Sequence, residues 1–168
     1  MALVVLVGLP GSGKTTIGRE LAQTLKCPFN DADQLFFDRE SQSVQEFLRE
    51  HEESEFRALE LLVLNEVVRG PGVLSTGGGV VTTQSARTLL REQCTVWIDC
   101  GNDVLAQRVL NGDRPLLGDD PGSRLDELRR QREPWYAEVS RRRMDSSRPL
   151  LELVAELVEI VAREQVTP

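Results

Sequence analysis

The sequence predicts a three-layer α/β/α fold on a five-stranded parallel sheet, and three observations carry that prediction. Strand-like and helix-like apolar patterns alternate along all 168 residues, as they do where each parallel strand is followed by a crossover helix. The first strand, residues 3–7, is a continuous and largely β-branched apolar run, as suits a strand covered on both faces. A glycine-rich turn joins that strand directly to a helix, which places ligands beyond the strand carboxyl ends.

The helix after the turn runs from Lys14 to about Leu25, with Ile17, Leu21 and Leu25 on one stripe. A short second strand over residues 27–30 delivers Asp31 at its carboxyl end. Helices follow over 44–49 and 53–69; in the latter, Phe56, Leu59, Val63 and Val67 recur at helical spacing. Gly70-Pro71-Gly72 stops that helix, and residues 73–75 form the third strand. A triple glycine comes next, then a helix over 85–92. The fourth strand is 95–99, with a helix over 103–110 after it. Residues 111–123 hold three Gly, three Asp and two Pro without an apolar period, the composition of a lid-like loop. A long helix over 125–140 leads to a brief edge strand at 143–145, and an amphipathic helix over 150–163 follows. No repeat or linker interrupts the pattern, so a single domain over 1–168 is expected.

Composition narrows the chemistry. Forty per cent apolar and 28% charged residues describe a globular protein. A net charge of −7 argues against a nucleic acid or a membrane surface as partner, and no apolar run nears the ~20 residues of a span. The apolar start is too short for a signal peptide. Cys27, Cys94 and Cys100 are odd in number and form no C-x-x-C pair, which suits reduced thiols in a cytoplasm. His51 is the single histidine, so Ser-His and multi-His metal chemistries are excluded. No apolar stripe demands a partner, and a monomer is expected.

Gly8-Leu9-Pro10-Gly11-Ser12-Gly13-Lys14-Thr15 matches G-x-x-x-x-G-K-[ST] in full. Its glycines let backbone N–H groups converge on an anion, and the helix beginning there adds its positive dipole end. Gly11, Ser12, Gly13, Lys14, Thr15 and Thr16 are therefore the expected nucleotide-phosphate contacts. Lys14 reaches the β- and γ-phosphates, and the Thr15 hydroxyl is a ligand for Mg²⁺.

Asp31-Ala32-Asp33 follows the second strand. On an extended segment both carboxylates face one site, where one supports the metal shell and the other orients an acceptor hydroxyl. The alternative is a helix N-cap or an Asx turn. The third strand ends in Ser75-Thr76 without an acidic residue, which makes Asp31 the favoured metal partner of Thr15. Asp99, ending the fourth strand, is the rival and is read as structural. Gly77-Gly78-Gly79 signals either a close approach of backbone to ligand or a plain tight turn. Arg57 and Arg132 are candidates for bidentate binding of a carboxylate or phosphate, and each alone is equally a surface arginine. Arg114, in the lid-like loop, suits stabilisation of charge on a transferring phosphoryl group.

Taken together, these residues resemble the shikimate kinase family. The motifs are the 8–15 loop, Asp31-Ala32-Asp33, Glu55-Phe56-Arg57, Gly77-Gly78-Gly79, Arg114-Pro115-Leu116-Leu117 and the R-x-P-x-Y run from Arg132 to Tyr136. The loop alone specifies nucleotide binding; the set in this order is far more specific. The resemblance implies a P-loop kinase fold with a lid over 111–123 and an acceptor-binding region over 31–60. It implies transfer of the γ-phosphate of ATP to the 3-hydroxyl of shikimate, on the route to chorismate and the aromatic amino acids. It implies one Mg²⁺ per subunit held by Thr15 and Asp31, with Lys14, Asp33 and Arg114 as catalytic residues. Asp33 binds the ring hydroxyls and accepts the proton. Arg57 and Arg132 clamp the carboxylate beside Gly77, Gly78 and Gly79, while Arg108 and Arg148 flank the adenine. Two alternatives remain: another small-metabolite kinase, such as a gluconate kinase, and a non-catalytic ATP-binding module.

Overall fold

Strand β1 (Val4–Val7) is fully buried at all four positions and lies at the centre of the sheet. The computed structural model describes residues 4–110 and 121–166. Around β1 stand β2 (Phe29–Asp31), β3 (Val73–Ser75), β4 (Thr95–Asp99) and β5 (Arg142–Asp145), in the order β2-β3-β1-β4-β5 with every pairing parallel. The strand order reverses beside β1, so the turn after β1 opens at the switch point where parallel sheets bind ligands.

Side chains alternate along β1 and feed two cores. Val4 and Leu6 face α1 (Lys14–Leu25) and α8 (Leu150–Val166), packing with Ile17, Leu21, Leu153 and Leu157. Val5 and Val7 face α4 (Glu53–Val67), α5 (Gln84–Arg91) and α7 (Pro121–Val139), with Leu64, Leu90, Leu125 and Tyr136. Helix α6 (Asn102–Leu110) adds Leu105 to the second core.

Two further helices, α2 (Ala32–Glu40) and α3 (Val44–Glu50), form a cap beside the sheet with α4. Their contact is aromatic: the Phe36 ring meets Phe47 and Phe56 edge-on, with centroids 5.4 and 5.3 Å away. Each such pair is worth about 1 kcal/mol beyond its burial. Ser43 starts α3 with a reciprocal capping box to Glu46, which stiffens the cap locally.

Two sequence expectations change here. Helix α2 was not anticipated, because Phe36 is its one buried residue and leaves no apolar stripe to read. Residues 31–33 are consequently not one extended segment: Asp31 ends β2 and caps α2, its Oδ1 accepting from Asp33 N at 3.1 Å. The long helix read over 125–140 is borne out, for α7 runs through Pro134 to Val139. Pro134 is exposed while Tyr136 beyond it is buried, so the packing of Tyr136 outweighs the one forgone backbone bond. Most of the predicted lid, with Arg114, lies outside the described residues.

Candidate active site

The turn from Gly8 to Thr15 is shaped by its glycines. Gly8 has φ +150, and a Cβ there would collide with the Ile98 carbonyl of β4. Gly13, at φ +95, precedes α1 in a left-handed conformation that L side chains rarely adopt. The backbone thereby turns the first amides of α1 towards one point. Lys14 is buried, and its Nζ donates to the Gly8 and Leu9 carbonyls at 2.9 Å each and to Ser12 Oγ at 3.4 Å. The loop holds its own cation inside.

Thr15 Oγ1 donates to Asp31 Oδ2 at 2.8 Å and lies 3.3 Å from Ser75 Oγ. Sheet register explains the meeting, for Asp31 pairs with Ser75 across β2 and β3, and Ser75 pairs with Leu6 of β1. The carboxylate that a neighbouring strand end would carry is thus supplied from one strand further out. Asp99 is engaged elsewhere: it is buried and accepts from Arg129 at 2.9 and 3.0 Å and from Arg143 at 2.6 and 3.1 Å. It joins β4 to α7 and β5.

A cavity of about 570 Å³ opens beside the loop, with Thr16, Arg108 and Arg148 in its wall. Arg108 ties its two sides together, donating to Ser146 Oγ at 2.9 Å and Ser146 O at 2.8 Å and to Ser12 O at 3.4 Å. Arg148 is exposed and donates to Glu156 at 2.7 Å.

A second cavity of about 880 Å³ lies under the α2–α3–α4 cap. Arg57 projects into it from the first turns of α4. Its Nη1 donates to Glu60 at 2.8 Å, while Nε and Nη2 donate to one oxygen of Glu53 at 3.2 and 2.8 Å. Burial by itself would lower the Arg57 pKa, but the two carboxylates outweigh it and the net shift is upward. Burial raises the Glu60 carboxyl above its ordinary value, with Arg57 opposing and Asp33 adding to the rise.

The triple glycine is required by close approach. A Cβ on Gly77 would stand 3.0 Å from Glu60 Oε1 and 3.4 Å from Asp33 Oδ1. On Gly78 it would meet Pro10 Cδ at 2.9 Å, and on Gly79 it would fall into the Arg57 guanidinium. From α7, Arg132 Nη1 donates to the Gly78 carbonyl at 3.1 Å, and the Tyr136 hydroxyl donates to the same oxygen. Arg132 Nε is buried with no hydrogen-bond partner among the described residues, so this guanidinium holds a donor in reserve.

The two cavities share Thr15, Asp31, Asp33, Gly77 and Gly78. A phosphate-binding loop and an arginine-lined pocket therefore meet at one carboxylate-bearing junction, the arrangement group transfer needs. The model for shikimate kinase matches residues 10–162, nearly the whole chain. This chain belongs to the shikimate kinase family. Among its relatives, a shikimate kinase from Corynebacterium efficiens is 40% identical over 159 residues, covering 93% of this chain and 94% of that protein. The solved structure of a shikimate kinase from Acinetobacter baumannii in complex with shikimate matches with a TM-score of 0.89 at 29% identity, over 98% of this chain and 94% of that one. A gluconokinase from Sinorhizobium meliloti reaches a TM-score of 0.64 at 24% identity, over 95% and 91% of the two chains, a likeness of fold alone. The gluconate kinase and non-catalytic alternatives are not favoured.

The structure brings Lys14, Thr15, Asp31, Asp33, Arg57, Gly77, Gly78, Gly79 and Arg132 to one region, with Arg108 and Arg148 on the loop side. Glu53, Glu60, Ser75 and Tyr136 had no assigned role in the sequence reading. The two glutamates were findable, since they stand four residues before and three after Arg57 on one helix face.

Proposed function

We propose that the chain transfers the γ-phosphoryl group of ATP to the 3-hydroxyl of shikimate, giving shikimate 3-phosphate and ADP on the route to chorismate and the aromatic amino acids. The observation that carries this reading is the junction of the two cavities at Thr15, Asp33 and Gly77-Gly78. ATP lies along the loop cavity, its adenine between Arg108 and Arg148 and its phosphates at Gly11 to Thr16. Lys14 then exchanges its carbonyl partners for the β- and γ-phosphates, which costs little because one set of oxygens replaces another. Shikimate occupies the pocket under the cap, its carboxylate held by Arg57 and Arg132 and its hydroxyls by Asp33. The Asp33 carboxylate accepts the proton of the attacking hydroxyl.

Among the described residues, no group of three or more His, Cys, Asp or Glu side chains is positioned to hold a metal alone. Thr15 and Asp31 present hard oxygen donors 2.8 Å apart, a set suited to Mg²⁺ shared with nucleotide phosphates. When bound, Mg²⁺ supplies positive charge against the β- and γ-phosphates. Arg114 adds charge from the lid. A single-domain cytoplasmic monomer with one Mg²⁺ per subunit completes the reading; no helix among the described residues is long and apolar enough to cross a membrane.

The test is ADP formation in a coupled assay with shikimate, gluconate or no acceptor. Turnover with shikimate alone is expected. Turnover with gluconate alone, or with neither, overturns the assignment.

A further inference from the structure

Two arginines face the acceptor pocket in different states. Arg132 keeps Nε buried without a partner among the described residues. Arg57 has its donors engaged: Glu60 takes Nη1, and one Glu53 oxygen bridges Nε and Nη2. The Nε–Nη2 edge is one that a ligand carboxylate grips in bidentate fashion. The two glutamates are not equivalent. The Glu60 side chain is only 10% exposed, whereas that of Glu53 is 69% exposed and rotates into solvent at little cost.

We propose that Glu53 is an internal competitor for the acceptor's carboxylate, occupying the Arg57 fork until the acceptor displaces it, and so setting acceptor affinity. The proposal rests on Arg57 being part of the carboxylate clamp. Glu60 is the permanent partner that fixes the guanidinium over Gly79; Glu53 is the removable one. With Glu53 in place, the Nε–Nη2 edge of Arg57 keeps a hydrogen-bond acceptor in the empty enzyme. The acceptor pays for that protection with affinity, because each binding event must break the Glu53 contact.

The test is calorimetric titration of shikimate into the wild-type chain, Glu53→Gln and Glu55→Gln. Glu55 lies on the same first turns of α4 but pairs with His51 at 3.0 Å, so its variant controls for loss of one nearby negative charge. Glu53→Gln is expected to lower the Kd for shikimate roughly two- to fivefold, the span of an exposed ion pair. It is also expected to make the enzyme more sensitive to inhibition by acetate, while Glu55→Gln stays at the wild-type Kd. An unchanged or weaker Kd in Glu53→Gln shows that Glu53 orients Arg57 and overturns the proposal. Equal tightening in both variants overturns it as a general charge effect. A wild-type chain that binds no shikimate overturns the acceptor assignment itself, and the competitor with it.

Discussion

The Tyr136 hydroxyl donates to the carbonyl of Gly78, the oxygen that also accepts from Arg132 Nη1. Two donors from one helix thus fix a glycine loop from the opposite face. Tyr136 is buried and stacks on Trp97 of β4, with ring centroids 5.7 Å apart. Burial pushes its phenol well above the ordinary range, so the hydroxyl remains a donor throughout the working pH.

Tyr136→Phe should therefore act on the acceptor side. The lost bond is worth about 1 kcal/mol, or roughly 2–4 °C in melting temperature for a domain of this size. We expect the KM for shikimate to rise while the KM for ATP stays within twofold (about 0.4 kcal/mol). Equal rises in both KM values would mean that the bond serves the whole loop and not the acceptor pocket.

Gly79→Ala separates fold from function. Its Cβ would occupy the space of the Arg57 guanidinium, so the far end of that side chain must shift while the backbone stays in place. Melting temperature should change little, and the KM for shikimate should rise about tenfold or more with the loss of a charge-assisted contact. Gly78→Ala instead presses on Pro10 of the phosphate loop and should weaken ATP as well. Steady-state kinetics against each substrate distinguish the two; identical behaviour would refute the steric assignment.

Asp33→Asn should keep nucleotide affinity and lose about 10²–10⁴-fold in kcat, the usual contribution of a positioned proton acceptor. Nucleotide titration with single-turnover kinetics reads both quantities. Near-normal turnover would remove Asp33 from the proton's path.

Glu60 gives a pH signature. Burial raises its folded-state pKa above the ordinary 4.5. A carboxyl raised on folding contributes stability that is complete below its unfolded pKa and lost as pH climbs through the folded one. The melting temperature of the wild type minus that of Glu60→Gln should therefore fall as pH rises above 4.5. A flat or widening difference would show that attraction to Arg57 exceeds the burial penalty.

Much of this was legible in the chain itself. The bounds of α1, β3 and β4 follow from glycine punctuation and apolar runs, which are local signals. The Gly8 to Thr15 loop was readable because its chemistry lies within eight residues. Helix α2 was not, since a short cap that buries only Phe36 carries no period. Asp31 is both the helix cap and the partner of Thr15, so its two readings proved compatible.

The sequence alone determined the fold class, the phosphate loop and the residue types of the acceptor pocket, because strand burial, glycine-dependent turns and charge are properties of short segments. Only the tertiary structure decided which groups meet. Sheet order set Asp31 across from Ser75 and beside Thr15, while Asp99 was drawn into Arg129 and Arg143. The same packing left Arg132 a donor in reserve. Such long-range pairing depends on strand order and helix packing, which no local pattern encodes.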